Sequence, residues 1–473
     1  MRRFRWMATL LCLAAVVIAP QAAAAADRMY VGFQDDPSFR FRDTRDANLD
    51  QAEAANATVI RSQVTWSAIA PTKPANPSNP FDPAYARLAD VDEFVRAAQR
   101  RGMEVLLTIY GTPTWANGGK KPNVAPRNMT DLTSFARAVA ARYSGRYPGY
   151  PYVKFYSVWN EPNLNQFLTP QFDSRGRDVA PALYARMYRA AYTGIKAGNP
   201  KALVGIGETS ARGHDKPTNG VVQDSHSPGK FAQLVARADH NLRFDAWAEH
   251  PYPFTPGQPP TAKVRLPNVS LTQIPDFQRI IDKAFGRKST QIWITEYSHE
   301  TKPPDSRGVS YARQASYATQ ALAIAKANPS ITMFIWFVLR DDPSDPWQSG
   351  LLDENGSRKP AFAPFAAAAT KLDARNAIIP VRTKKKPTVR VSALELAGRD
   401  GAGAQVGVTY KVVFKNSVAG VGQPVEKIDP DGWITLPLDF VPQAKRSYTA
   451  TIDIGDANGN KIRRTLTLVS VGS

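Results

Sequence analysis

Cysteine is almost missing from this chain: its 473 residues hold one, Cys12. No intrachain disulfide can form and no cysteine-ligated metal site can be built, so the fold must stand on its hydrophobic core. Histidine is scarce too. His214, His226, His240, His250 and His299 show no paired ligand spacing, and no metal or cofactor is expected. A glycine-rich phosphate loop is absent, since Gly205-Ile-Gly207 stands too isolated to form one, which argues against a dinucleotide-binding open sheet. Ser210 and Ser298 lack the setting of a nucleophile elbow, which argues against a serine hydrolase. No bilayer-spanning run occurs: the apolar stretch Met7 to Ala19 is too short. It follows Arg2, Arg3 and Arg5 and leads into alanines ending near Ala26, the pattern of an export signal. Residues 1–26 are therefore expected to be cleaved and the mature protein to be secreted or extracytoplasmic.

Acidic residues are the minority sign. Lys and Arg number 60 against 41 Asp and Glu, a formal charge of +19, or +16 without the three leader arginines. The excess is spread rather than blocked, which favours anionic surfaces or acidic polymers. No nucleic-acid-binding motif accompanies it, so nucleic acid is not an expected partner.

What is present from Met29 to about Ala369 is an alternation of short buried-strand patterns with amphipathic helices. Strands are expected at Met29 to Phe33, Ala57 to Val64, Glu104 to Ile109, Val153 to Val158, Leu203 to Ile206, Phe244 to Glu249, Gln291 to Thr295 and Thr332 to Phe337. Between them, Leu88, Val91, Val95 and Ala98 form one helical stripe closed by Gly102. Leu132, Phe135, Ala136, Val139, Ala140 and Tyr143 form another, with Thr130 or Asp131 placed to cap it. Such alternation calls for a (β/α)8 TIM barrel, assigned to residues 27–376. Pro380, Lys384 to Lys386 and Pro387 mark a linker over 377–387. Beyond it, runs at Thr388 to Leu394, Val406 to Phe414, Trp433 to Leu436, Tyr448 to Ile454 and Lys461 to Val469 are separated by turn signals and read as a small C-terminal antiparallel β-sandwich over 388–473.

Two strings carry the chemistry. Phe155-Tyr-Ser-Val-Trp-Asn-Glu-Pro-Asn163 and Gln291-Ile-Trp-Ile-Thr-Glu-Tyr-Ser298 each end an apolar run in a carboxylate, Glu161 and Glu296. A carboxylate at the tip of a buried strand is costly to desolvate, and in a barrel the strand ends converge on one cavity. Two of them suggest a facing pair, the arrangement that cleaves glycosidic bonds.

Trp-Asn-Glu-Pro after a fourth strand with Trp-Ile-Thr-Glu at a seventh resembles the retaining glycoside hydrolases of clan A, and Tyr110-Gly-Thr-Pro-Thr-Trp115 is most similar to family 39, with family 5 as near neighbour. The resemblance covers the barrel and leaves the C-terminal domain unaddressed. It implies Glu161 as general acid/base and Glu296 as nucleophile. It also implies Arg61 in the second strand as a partner of Glu296, and Asn160 as donor to a sugar 2-hydroxyl. His250 and Tyr252, in Glu249-His-Pro-Tyr252, match the clan's His-x-Tyr pattern. Sugar rings offer apolar C–H faces, so aromatic platforms are anticipated: Trp336 first, as the floor beside the scissile bond, then Tyr110, Trp115 and Trp347. Trp159 and Trp293, embedded in strands, are assigned to the core. The expected substrate is an oligo- or polysaccharide, with the basic charge pointing to an acidic or cell-envelope glycan. A barrel that binds carbohydrate without hydrolysing it, and an envelope transglycosylase, remain open alternatives.

Overall fold

A computed structural model describes residues 28–218, 220–376, 378–401 and 403–471. The expected export signal and Cys12 lie outside these residues. Among the described residues, no helix is long and apolar enough to cross a membrane.

Eight parallel strands close into a barrel: β1 (Tyr30–Gln34), β2 (Val59–Thr65), β3 (Glu104–Tyr110), β4 (Phe155–Val158), β5 (Leu203–Ser210), β6 (Ala246–His250), β7 (Gln291–Tyr297) and β8 (Ile331–Phe337). Each strand is buried on both faces, so the sequences read as continuous apolar runs rather than alternating ones. The barrel interior is filled by Val59, Leu106, Phe155, Ala248, Trp293 and Ile335 among others. Side chains of the opposite parity form the much larger layer beneath the helices. The stripe Leu88, Val91, Val95, Ala98 lies buried in the helix Leu88–Gln99. Helix Met129–Arg142 is capped by Asn128, whose side chain accepts from the Thr130 amide, and not by Thr130 or Asp131.

The C-terminal domain departs from the expected layout in three places. Its main sheet runs β12 (Ser417–Gly422), β11 (Gln405–Phe414), β15 (Ser447–Gly455), β16 (Lys461–Val471), β9 (Ile378–Arg382), with β13 (Val425–Lys427) beside β11. β10 (Thr388–Ser392) and β14 (Trp433–Pro437) make a separate antiparallel pair. The segment expected as linker thus supplies β9, which pairs in parallel with β16. The strand expected through Leu394 stops at Ser392, and Leu394–Asp400 is helical. The strands β12 and β13, which follow one another over this stretch, had no counterpart in the expected runs. A second core of β-strand side chains, including Val391, Val412, Ile434 and Leu468, fills this domain.

Candidate active site

Four strand ends deliver the carboxylates and their partners. Past β4 the chain turns sharply: Trp159 and Glu161 take positive φ of 72° and 38°, which costs backbone energy but sends Asn160 and Glu161 to the same mouth. The turn is tied down on both sides. The Trp159 amide donates to the Ile109 carbonyl at 2.7 Å, and the Glu161 amide to the Glu208 carbonyl at 2.8 Å. On β7, pairing with β8 shifts between Ile294 and Tyr297, which breaks the alternation and lets both Thr295 and Glu296 face inward.

Glu161 and Glu296 confront one another across a cavity of about 990 Å³. An oxygen of each lies within 4.8 Å of the other and of a His250 ring nitrogen. Arg61, wholly buried, donates through Nη1 to Glu296 Oε1 at 2.5 Å and through Nη2 to Asn160 Oδ1 at 3.1 Å. Tyr252 donates its hydroxyl to the other Glu296 oxygen at 3.0 Å. Each oxygen of Glu296 therefore accepts a bond, an arrangement suited to the anion.

His250 is also wholly buried. Its Nδ1 meets Glu161 Oε1 at 3.0 Å and its Nε2 meets Glu208 Oε2 at 2.8 Å. Burial alone would lower its pKa, but Glu296, Glu161 and Glu208 together carry it up to about 10. The ring is an imidazolium donating from both nitrogens. The Glu161, His250, Glu296 group is the one triple of metal-ligand type found among the described residues.

Glu208 was not among the expected site residues. It sits on β5 where pairing with β6 slips between Gly207 and Thr209, at φ 50°, with its side chain turned into the barrel. Its Oε2 lies 3.1 Å from Arg61 Nη2 and accepts from Thr295 Oγ1 at 2.7 Å as well as from His250. Burial would push this carboxyl up, yet Arg61 first and then His250 hold it down to about 2. The signal in the sequence is weak: Glu208 lies inside β5, two residues past Ile206, where the strand was expected to stop.

The cavity brings together Asn160, Glu161, Tyr252 and Glu296, with Phe337, Trp347 and Phe167 as aromatic walls. Three platform expectations need correction. Trp336 faces the helices: with Met333 and Ile335 pointing into the barrel, parity sends it outward against Phe365, its indole N–H on the Ser349 carbonyl. Phe337, one residue on, takes the place at the mouth. Trp115 packs edge-on to Trp66 and donates to the Ala70 carbonyl, away from the cavity. Tyr110 stands one layer back, edge-on to Trp159 and to Phe167. Arg61, the expected partner of Glu296, and His250 lie beneath the carboxylates with no exposed surface, so neither is placed to touch substrate. Trp159 and Trp293 are in the core.

A family model described as Cellulase (glycosyl hydrolase family 5) matches residues 30–340. Among solved structures, a family 39 glycoside hydrolase from the gut symbiont Bacteroides cellulosilyticus WH2 superposes with a TM-score of 0.53, at 18% identity over 88% of this chain and 80% of that one. A GH5_18 structure from Streptomyces cattleya, in complex with GlcNAc, gives 0.51 at 16% identity over 76% and 85%. At such identities these two likenesses speak for the fold. No curated protein matches the chain.

Proposed function

Since the chain belongs to the cellulase family, glycosyl hydrolase family 5, and is thereby a clan A retaining glycosidase, we propose that it hydrolyses an oligo- or polysaccharide by double displacement, with Glu296 as nucleophile and Glu161 as general acid/base. The observation that carries this reading is the approach of the two carboxylates to within 4.8 Å. Retaining enzymes hold their carboxyls about 5 to 5.5 Å apart, whereas inverting ones need about 6.5 to 9.5 Å to admit a water.

The neighbours assign each atom a task. His250 occupies Glu161 Oε1, so the transferable proton belongs on Oε2. Asn160 turns its amide oxygen to Arg61, which can only donate, and this leaves its NH2 group for the sugar 2-hydroxyl. In the first step Glu296 attacks the anomeric carbon as the leaving oxygen takes the proton of Glu161. In the second, Glu161 withdraws a proton from water, whose oxygen displaces Glu296. Charge follows the same cycle. With Glu161 protonated, the cations Arg61 and His250 balance the anions Glu208 and Glu296; once Glu296 is esterified, loss of the Glu161 proton restores the balance. A buried cluster that stays neutral through both steps avoids the cost of an uncompensated charge. Export through the leader would place this activity outside the cytoplasm.

Replacement of Glu296 by Ala is expected to abolish turnover of an activated aryl β-glycoside, with azide partly restoring release and giving a glycosyl azide of opposite anomeric configuration. Undiminished activity in that variant would remove Glu296 from the nucleophile's role.

A further inference from the structure

The cavity over the glutamates does not end at Trp347. A second hollow of about 230 Å³ adjoins it, and the two share Arg212, Pro253, Phe254 and Trp347 as walls. Ser298 and His299, two and three residues beyond Glu296, line the second hollow, so it continues the groove on the nucleophile's side. At the junction stands Arg212. Its Nη1 donates to the Phe254 carbonyl at 3.0 Å and its Cζ lies 5.5 Å from the Phe254 ring centroid. One edge of the guanidinium is thus anchored, and no carboxylate of the protein pairs with it among the described residues.

A further cation stands along the same groove. Arg307 lines the second hollow and makes a long ion pair, its Nε 4.0 Å from Asp305 Oδ1, with its side chain largely open to solvent. The one acid lining that hollow, Glu300, has its pKa raised to about 7, by burial first and then by the charge of Asp305, against the lowering effect of Arg307. Trp347 and Phe254 add flat apolar faces between the arginines. An arginine edge left open beside an aromatic face suits a sugar ring that bears an anion, because the fork matches a carboxylate while the ring's C–H face covers the aromatic.

We propose that this extension is a subsite for an acidic sugar residue, read by Arg212 with Arg307 as the second cation. The inference rests on the glycosidase reading and narrows its substrate to anionic glycans. It also gives a location to part of the chain's basic excess.

The test is titration calorimetry on the Glu161→Gln protein, which cannot turn over its ligand. The probes are tetra-β-1,4-glucuronate and tetra-β-1,4-mannuronate against cellotetraose and mannotetraose, with 6-O-sulfated cellotetraose as a further arm. At least one uronate is expected to bind about tenfold or more tighter than its neutral counterpart, with the advantage shrinking in about 0.5 M salt. Arg212→Met with Arg307→Met should bring the ratio close to one. Arg212→Lys separates the sources: preference for carboxylate over sulfate that is lost in this variant assigns the fork, and equal binding of both anions assigns charge alone. Equal affinity within both pairs, or no affinity for either uronate, overturns the acidic subsite. The Glu296→Ala and azide assay on an aryl glycoside reports separately on the glycosidase reading, so the two can fail independently.

Discussion

Glu208 touches no solvent, yet together with Glu296 and Glu161 it raises the pKa of His250, and it supplies one of the two anions that balance the buried cations. Replacing Glu208 with Gln removes that anion and leaves Arg61 and His250 short of a partner. Breaking a buried pair in this way is expected to cost about 3 to 5 kcal/mol of stability, and misplacement of the acid's partner to cost roughly 10² in kcat/KM on an aryl glycoside. The pH dependence distinguishes this from generic damage. His250 has a raised folded pKa, so its contribution is complete below its ordinary value of 6.5 and is lost as pH climbs through about 10. Glu208 has a depressed one, so its contribution is complete above 4.5 and is lost as pH falls through about 2. Urea midpoints measured across pH should show both flanks in the parent protein. In Glu208→Gln the acid flank should flatten and the alkaline one begin at lower pH; unchanged flanks would remove Glu208 from this role. The tryptophans divide in a similar manner. Trp347→Ala, at the cavity wall, is expected to lose about 1 kcal/mol of substrate binding, read as a several-fold rise in KM. Trp336→Ala, buried under the helix Phe362–Thr370, should instead lower stability by about 3 to 5 kcal/mol while KM for the remaining folded enzyme holds.

At the scale of elements, the β5 bulge is the piece on which two site residues depend. It turns Glu208 inward, and its carbonyl anchors the Glu161 amide. Gly207 makes it possible: φ is 100°, and a Cβ there would meet Trp247 Nε1 at 2.5 Å and the Ala248 carbonyl at 2.8 Å. Gly207→Ala should therefore lower the melting temperature and reduce kcat together, whereas a simple turn glycine would affect stability alone. The bulge also marks the limit of what was legible in sequence. Strands buried on both faces announce themselves as β-branched apolar runs, which is why all eight barrel strands and both glutamates stand out in the sequence. Parity is less visible. A strand's register decides whether Trp336 or Phe337 meets the cavity, and a slip of one residue exchanges them. Glu208 is concealed because Gly205 and Gly207 interrupt the apolar run that precedes it. β9 is concealed because Pro380 and the lysines after it resemble a linker, although an edge strand tolerates proline and this one pairs with a partner more than eighty residues away.

At the scale of the whole molecule, the C-terminal domain closes the end of the barrel opposite the glutamates. Lys154 of the segment entering β4 donates to the Tyr30 hydroxyl at 3.0 Å and lies 5.6 Å from the Trp433 ring centroid and 5.0 Å from that of Phe155. Glu104, at the start of β3, is buried in the same place; burial raises its pKa against the lowering effect of Lys154 and of the Trp433 indole. Helix Leu394–Asp400 lies so close to the helix Leu88–Gln99 that a Cβ on Gly398 would come within 2.6 Å of the Arg100 amide nitrogen. Trp433, the one tryptophan of this domain and its best candidate for a sugar platform, is thus spent on the contact with the barrel. We propose that the domain acts as a structural cap on the barrel. Trp433→Ala is expected to destabilise the protein by about 2 to 4 kcal/mol while pull-down on insoluble polysaccharide is unaffected. Truncation after Asn376 uncovers Tyr30, Phe155, Glu104 and Lys154, and should lower the melting temperature or render the barrel insoluble. A soluble truncated barrel that keeps its activity on an aryl glycoside and loses only its affinity for polymer would reverse the assignment and make the domain a binding module.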